Sequence, residues 1–476
     1  MGRSSSPRHM VLFPFMSKGH MIPFINFAHL LHERGLRLTF FTTPSNAPFV
    51  RLKLGPTPAT LVELPFPEKF PGLPSGVEST DQLPSMSLFI PFVEAVKLLR
   101  SHFERVLENL PRIDCIVSDG FLGWTLESAS KLGLPRLVLY GMNNFATTVS
   151  ALLSRDRPHN NVSSDDQPFF VSSFPEMQFT KADFTPPFND PEPSGPMHDF
   201  VMEQVISTSQ SWGILANSFY ELEPEYVDCW NKEFHPKSWC IGPLCLAEPP
   251  TAVEPPERPH WVQWLGEQEG PVLYVAFGSQ AEVSPAQLLE IAIGLEKSNV
   301  SFLWAAPVRG GDKESWGDFE ERIAKRGLVV RQWVHQSEIL RHQKVQGFLS
   351  HCGWNSASEG LCAGVPLLAW PMLAEQFLNA KMLVEKLGVG LRIGRRGWVG
   401  RETVEEMVRE LMLGENGKKA REKAKVLAEA AMKAMDEGGS SCCTLDEVID
   451  SVCDHDSAIK DESSTNVQGP TDAEGL

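Results

Sequence analysis

Between residues 333 and 376 the chain reads WVHQSEILRHQKVQGFLSHCGWNSASEGLCAGVPLLAWPMLAEQ. Several side chains there have types and spacings that can do chemistry. A strand over 345–350 runs into the turn His351-Cys352-Gly353, where glycine lets the backbone approach closely, and then into a helix. The first N–H groups of that helix, around Asn355 and Ser356, have no partner within it and suit a phosphate. Glu359 follows one turn later, where a carboxylate can accept from vicinal hydroxyls such as those of a ribose. Trp333 offers a flat face to a base, a stack worth ~1–3 kcal/mol. Each residue also has an ordinary reading. Ser356-x-x-Glu359 matches a capping box, Trp333 and Trp354 suit a core, and His351 suits a satisfied turn.

Two further residues stand at the carboxyl ends of expected strands. His20 follows a strand over 9–15, and Asp119 ends one over 114–118. An imidazole titrates near neutral pH and can take a proton from a hydroxyl. A carboxylate beside it can orient the ring and stabilise its cation. A helix-start histidine and a helix-capping aspartate are the plainer alternatives. Phe15, Met16, Phe121, Met142 and Phe145 lie near the same strand ends, where they can line an apolar slot or pack as core.

These positions need a scaffold, and the hydrophobic pattern supplies one. In the first half, strands over 9–15, 36–42, 114–118 and 136–140 alternate with helices over 20–34, 87–110 and 124–132. Beyond residue 260 the rhythm restarts, with strands over 272–276, 301–306, 345–350 and 365–370 and a charged, Ala-rich helix over 417–437. This alternation predicts an α/β fold with parallel sheets covered on both faces. Residues 154–200, rich in Pro, Asn, Asp and Ser, read as a long surface excursion. The proline-rich stretch 246–260 is the best boundary. It separates an N-terminal domain, 1–245, from a C-terminal domain, 261–437. Residues 438–453 read as a helix packing back on the first domain, and 454–476 as a disordered polar tail. Ligands of such sheets sit at the carboxyl ends of strands, here between the two domains.

Composition narrows the function. With 476 residues, about two domains are expected. Sixty acidic against 43 basic side chains leave a net charge of −17, which repels nucleic acid. An anionic ligand therefore needs a local trap. Nine cysteines without a C-x-x-C pair fit a reducing, cytoplasmic setting. No apolar run is long enough to cross a bilayer, and the Met10–Met16 run reads as a strand rather than a leader.

Taken together, the motifs resemble the signature box of plant UDP-sugar-dependent glycosyltransferases of family 1. The match covers Trp333, Gln336, His351-Cys352-Gly353-Trp354-Asn355-Ser356, Glu359, Gly364-Val365-Pro366 and Glu375-Gln376. Gly19-His20-x-x-Pro23 and Val117-Ser118-Asp119 resemble the family's base motif and its partner. The resemblance implies the GT-B architecture, two Rossmann-like domains facing each other across a cleft. It implies Trp333 on uracil, Gln336 and Glu359 on ribose, and His351, Asn355 and Ser356 on the diphosphate. Gly278 and Ser279 would form a second phosphate loop, and Trp354, Glu375 and Gln376 would face the sugar. A final Gln goes with glucose in this family. His335 replaces a frequent Pro, and Gly141 stands where many relatives place Ser or Thr near the sugar 6-hydroxyl. The implied reaction is an inverting transfer, His20 being the base and Asp119 its partner, from a UDP-sugar to a small plant metabolite. A flavonoid-like phenolic is preferred as acceptor and a β-O-glycoside is the product. Neither metal nor cofactor is expected, since the single Asp-x-Asp triplet, 454–456, lies in the polar tail. A cytoplasmic monomer without membrane insertion or nucleic-acid partner is expected. A UDP-sugar epimerase-like enzyme and a non-catalytic UDP-sugar binder are the alternatives.

Overall fold

In a computed structural model of the chain, the described residues are 7–248, 259–306, 313–394 and 397–465. Most of the proline-rich boundary segment lies outside them.

The N-terminal half builds a parallel sheet from β1 (His9–Phe13), β2 (Arg37–Thr42), β3 (Ala59–Glu63), β4 (Cys115–Asp119) and β5 (Arg136–Tyr140). After a small antiparallel hairpin, β6 (Phe169–Val171) and β7 (Phe174–Phe179), it is completed by β8 (Gly213–Ala216) and β9 (Ser238–Cys240). Its order is β3-β2-β1-β4-β5-β8-β9. The strands β1 and β4 are buried throughout, which is why they read as unbroken apolar runs rather than alternating ones. The chain crosses over between β1 and β4. That switch point brings the loops after both strands side by side.

The second half repeats the plan with β10 (Val272–Ala276), β11 (Ser301–Ala305), β12 (Gly327–Val330), β13 (Val345–Ser350), β14 (Leu367–Ala369) and β15 (Gly390–Arg392), ordered β12-β11-β10-β13-β14-β15. All its pairings are parallel. Apolar clusters cover both faces of each sheet, and one runs through the seam, joining Phe145, Phe219 and Tyr226 to Trp354, Leu378 and Met382.

Three segments differ from the sequence reading. The helix expected over 87–110 is broken into Phe89–Lys97 and Arg100–Leu107, so the pattern's continuity of apolar spacing hid a bend. The excursion 154–200 carries the hairpin and the start of a helix, Pro196–Ser209. Of the tail read as disordered, 454–476, the part up to 465 continues the helix Ser440–Thr465, and 466–476 lie outside the described residues. Low apolar content removes a burying face, but a helix already nucleated adds one hydrogen bond per further residue. The earlier part of that helix inserts Leu445, Val448, Ile449 and Val452 into the cluster holding Met10, Leu12 and Trp239. No described helix is long and apolar enough to cross a membrane.

Candidate active site

The two switch points face one another. His20 sits in the first turn of the helix Lys18–Glu33, directly after β1 and its short loop. Asp119 is the last residue of β4. His20 Nδ1 lies 2.8 Å from Asp119 Oδ2, and the other carboxylate oxygen accepts the Phe121 backbone N–H at 2.9 Å. The aspartate side chain is 4% exposed and the histidine 24%. Burial of the ring works against its charged form. The Asp119 carboxylate, its hydrogen bond and the more distant Glu375 outweigh that, so His20 is held above the ordinary imidazole range. With Nδ1 committed to the carboxylate, Nε2 is the nitrogen left to accept a proton.

Opposite stands the start of the helix Trp354–Cys362, directly beyond β13. Asn355 reaches across the seam and donates its amide to the carbonyl of Gly19. The loop after β10 lies beside it. Gly278, at φ 74°, passes so close to His351 that an added Cβ would sit 2.7 Å from Nε2. Burial pushes His351 down to about 4, leaving the ring neutral, and its buried Nδ1 has no hydrogen-bond partner. Ser279 follows in the same loop. Gln280, which sequence reasoning missed, spans the cleft to Ser17 Oγ at 3.1 Å and Thr80 Oγ1 at 2.8 Å.

One turn along, Gln336 donates to Ser356 Oγ at 2.8 Å and to Glu359 Oε2 at 2.7 Å. Burial raises Glu359 to about 7, against the opposing pull of Gln336. Trp333 is 52% exposed, with His335 edge-on at 4.6 Å and Lys53 Nζ 5.4 Å from its ring centroid. Glu375 is raised by burial, against the pull of His20, and therefore lies in the same electrostatic environment. Gln376 uses its amide oxygen on the Met372 and Leu373 N–H groups, both at 3.0 Å. Only its amide nitrogen remains for a ligand.

Among the described residues no group of three or more His, Cys, Asp or Glu side chains is arranged to hold a metal ion. The side chains of the 454–456 triplet lie outside the described residues.

Three expected positions lie buried. The Trp354 indole is buried and donates to the Asn217 carbonyl at 2.6 Å, so its N–H is spent on the seam rather than on a sugar. Met16 is fully buried in the core beneath the β1 loop. Phe145 packs edge-on against Tyr226 at 4.8 Å, inside the seam cluster. Met16 lies in the bend after β1, while Trp354 and Phe145 lie in the first turns of helices, where strand-end position does not tell which way a side chain faces. Phe15 and Phe121 do flank His20, with ring centroids 5.5 and 4.9 Å away. Phe89 and Phe200, both missed, extend the aromatic wall, Phe200 lying 5.3 Å from Phe121. They come from the bent helix and the far end of the excursion, segments with no strand-end signal. Met142 is half-buried next to Asn143, whose amide bridges to Asn379 at 3.0 Å.

Two facing sheets, a His–Asp pair on one and a bare helix N-terminus on the other can activate a hydroxyl against a diphosphate-bearing ligand. Comparison with known proteins decides the family. UDP-glycosyltransferase 90A1 of Arabidopsis thaliana is 48% identical over 472 residues, covering 95% of this chain and 98% of that one. The chain belongs to the plant UDP-glycosyltransferases of family 1. Residues 215–435 match the family described as UDP-glucoronosyl and UDP-glucosyl transferase. UDP-glucose flavonoid 3-O-glucosyltransferase 7 of Fragaria ananassa is 34% identical, covering 94% and 96%. The transferase superposes on Glycyrrhiza uralensis UGT73P12, solved with glycyrrhetinic acid 3-O-monoglucuronide, at TM-score 0.85 and 29% identity, covering 97% and 98%. It matches Phytolacca americana UGT2, solved with UDP-2fluoro-glucose and pterostilbene, at 0.77 and 29%, covering 94% and 100%. The GT-B fold is thus shared across nearly the whole chain, and the transferase is a UDP-glycosyltransferase of small plant metabolites.

Proposed function

We propose that this enzyme transfers glucose from UDP-glucose to a hydroxyl of a flat phenolic acceptor, with inversion, to give a β-O-glycoside. The observation that carries the reading is the His20–Asp119 pair at 2.8 Å, held at the seam by Asn355, whose amide meets the residue immediately before His20.

In this reading the uracil stacks on the half-exposed face of Trp333, and the ribose hydroxyls bind Glu359 and Gln336. The diphosphate rests on the N-terminus of the helix Trp354–Cys362. There Ser279, neutral His351, Asn355 and Ser356 donate to it, and the helix dipole favours its charge. Asn355 exchanges the Gly19 carbonyl for a phosphate oxygen as the donor enters. The sugar meets Glu375 and the free amide nitrogen of Gln376. The acceptor lies against Phe121, the half-buried ring of this aromatic cluster, with the buried Phe15, Phe89 and Phe200 backing it and its hydroxyl at His20 Nε2. His20 removes the proton as the oxygen attacks the anomeric carbon from the side opposite the diphosphate. The C–O bond to UDP breaks, and the released charge spreads into the donors already in place. Asp119 stabilises the resulting imidazolium. No metal or cofactor takes part. The aromatic wall favours a phenolic acceptor, in keeping with the Fragaria flavonoid enzyme and the pterostilbene in the Phytolacca structure.

The test is His20→Ala, assayed with UDP-glucose and a panel of phenols by mass spectrometry. Turnover should fall by about 10²–10⁴, while UDP binding measured by calorimetry stays within a few-fold. An epimerase would convert the donor without any acceptor, and a mere binder would make no glycoside at all. Unchanged turnover in H20A would remove the base from the scheme.

A further inference from the structure

Beneath the His–Asp pair lies a charge that the scheme above leaves unused. Arg136, the first residue of β5, is 1% exposed. A buried guanidinium ordinarily meets a carboxylate, yet every oxygen that this one bonds is neutral. Nε donates to Ser118 Oγ and Nη1 to Ser211 Oγ, each at 2.8 Å. Nη2 donates to the carbonyls of Asp119 at 3.2 Å and Leu122 at 3.4 Å. Those two carbonyls close the turn that follows β4. The Tyr140 ring packs closely on that turn: at Gly120 an added Cβ would sit 2.2 Å from it. The turn carries both the carboxylate that holds His20 and the Phe121 ring beside it. Nη1 also donates to the Ser207 carbonyl at 3.4 Å, which ties the same fork to the last turn of the helix that bears Phe200.

We propose that Arg136 is a positioning residue for the His20–Asp119 pair. Its guanidinium stitches the 119–122 turn to the strand beneath it and supplies a fixed positive field that resists protonation of His20. Burial lowers Arg136 to about 10, while Tyr140 and Asp119 act to hold its proton, so it stays charged at neutral pH. The other groups facing His20 are few. Asp119 comes from β4 and Glu375 from the donor lobe. Tyr140 on β5 donates to or accepts from Thr208 at 2.8 Å. Lys18, on the same helix as His20, is neutralised by Asp81 at 3.0 Å. The helix Pro196–Ser209 turns neutral Gln204 and Ser207 inward, and its Glu203 is paired with Lys97 at 2.7 Å. Two carboxylates favour the imidazolium, and the buried charge of Arg136 acts on one of them, Asp119; through that carboxylate it bears on the pair.

The inference rests on His20 being the base. A base must be neutral to act, so activity falls on the acid side as His20 protonates. Removing a nearby positive charge makes protonation easier. In Arg136→Met the acid limb of kcat/KM therefore moves to higher pH by about one unit, a tenfold change in proton concentration at half-maximal rate. Arg136→Lys keeps the charge and loses the fork. Its limb stays within about 0.3 units of the parent, while kcat drops roughly tenfold from the loosened turn. Ser211→Asp keeps the arginine but places a carboxylate on Nη1. It moves the limb upward as R136M does, and decides the matter alone if R136M does not fold.

The assay is a pH series of kcat/KM with saturating UDP-glucose and one phenol, alongside thermal melts. A limb unmoved in R136M and S211D, with only kcat or melting temperature lowered, would show a structural rivet and overturn the proposal. Turnover surviving in H20A would instead end the reading of the base, so the two failures are separable.

Discussion

Replacing Asp119 with Asn changes one atom, and the structure says which way the new amide must face. In the parent one carboxylate oxygen holds the Phe121 N–H at 2.9 Å and the other holds His20 Nδ1 at 2.8 Å. The amide has a single oxygen. Facing His20 with it would set the NH2 group against the Phe121 N–H and leave that donor unpaired, at a cost of about 1–3 kcal/mol. The favoured orientation therefore points NH2 at Nδ1. That stabilises the tautomer whose proton is on Nε2, the nitrogen that should accept the acceptor's proton. The tautomer penalty alone slows turnover by about 5- to 150-fold. Loss of the charge-assisted bond to the imidazolium adds about 1.5–3 kcal/mol. The sum predicts kcat lower by roughly 10²–10⁴, with UDP affinity unaltered because Asp119 faces away from the donor box. A second signature follows from the sign of the field. Asp119 is the main group holding His20 up against burial, so D119N should move the acid limb to lower pH, opposite to R136M. A coupled UDP-release assay across pH, with calorimetry for UDP, reads both. A D119N enzyme within about fivefold of the parent, or a limb that moves upward, would refute the reasoning.

Other perturbations are simpler. Trp333→Ala removes the exposed platform, so the donor KM should rise by about 5- to 150-fold from a lost stack of ~1–3 kcal/mol, with kcat nearly kept; steady-state kinetics in UDP-glucose decide it. Glu359 titrates near 7 because of burial, and the ribose is best held by its ionised form. The donor KM should therefore climb as pH falls below about 7, and Glu359→Gln should flatten that dependence while raising KM. Leu445→Ala cuts a fully buried contact between the C-terminal helix and the first sheet. It should cost about 2–5 kcal/mol of stability, seen as a lowered melting temperature with little change in kcat.

Much of the scaffold was legible in the chain because buried parallel strands are short apolar runs with little to imitate them. The expected strands at 136–140, 272–276 and 345–350 coincide with β5, β10 and β13. The donor box was legible for a related reason: its strand, turn and helix are contiguous, so local spacing carries most of its geometry. Where local pattern ended, reading faltered. Nothing in the spacing of Phe89 and Phe200 links them to Phe121, since they arrive from separate segments. Trp354 looked like a ligand group because only the seam shows that the Asn217 carbonyl takes its N–H.

What the amino-acid order determined by itself was the rhythm of strands and helices and the residue types at their ends. That information lies in periodicity, turn chemistry and contiguous motifs, all of which act over a few residues. Tertiary structure alone decided the pairings: His20 with Asp119 across 99 residues, Asn355 with the Gly19 carbonyl across 336, and Arg136 beneath the turn it stitches. Such contacts depend on how two switch points face each other when the sheets pack. Packing answers to the summed burial of both lobes, to which no short stretch of chain holds the key.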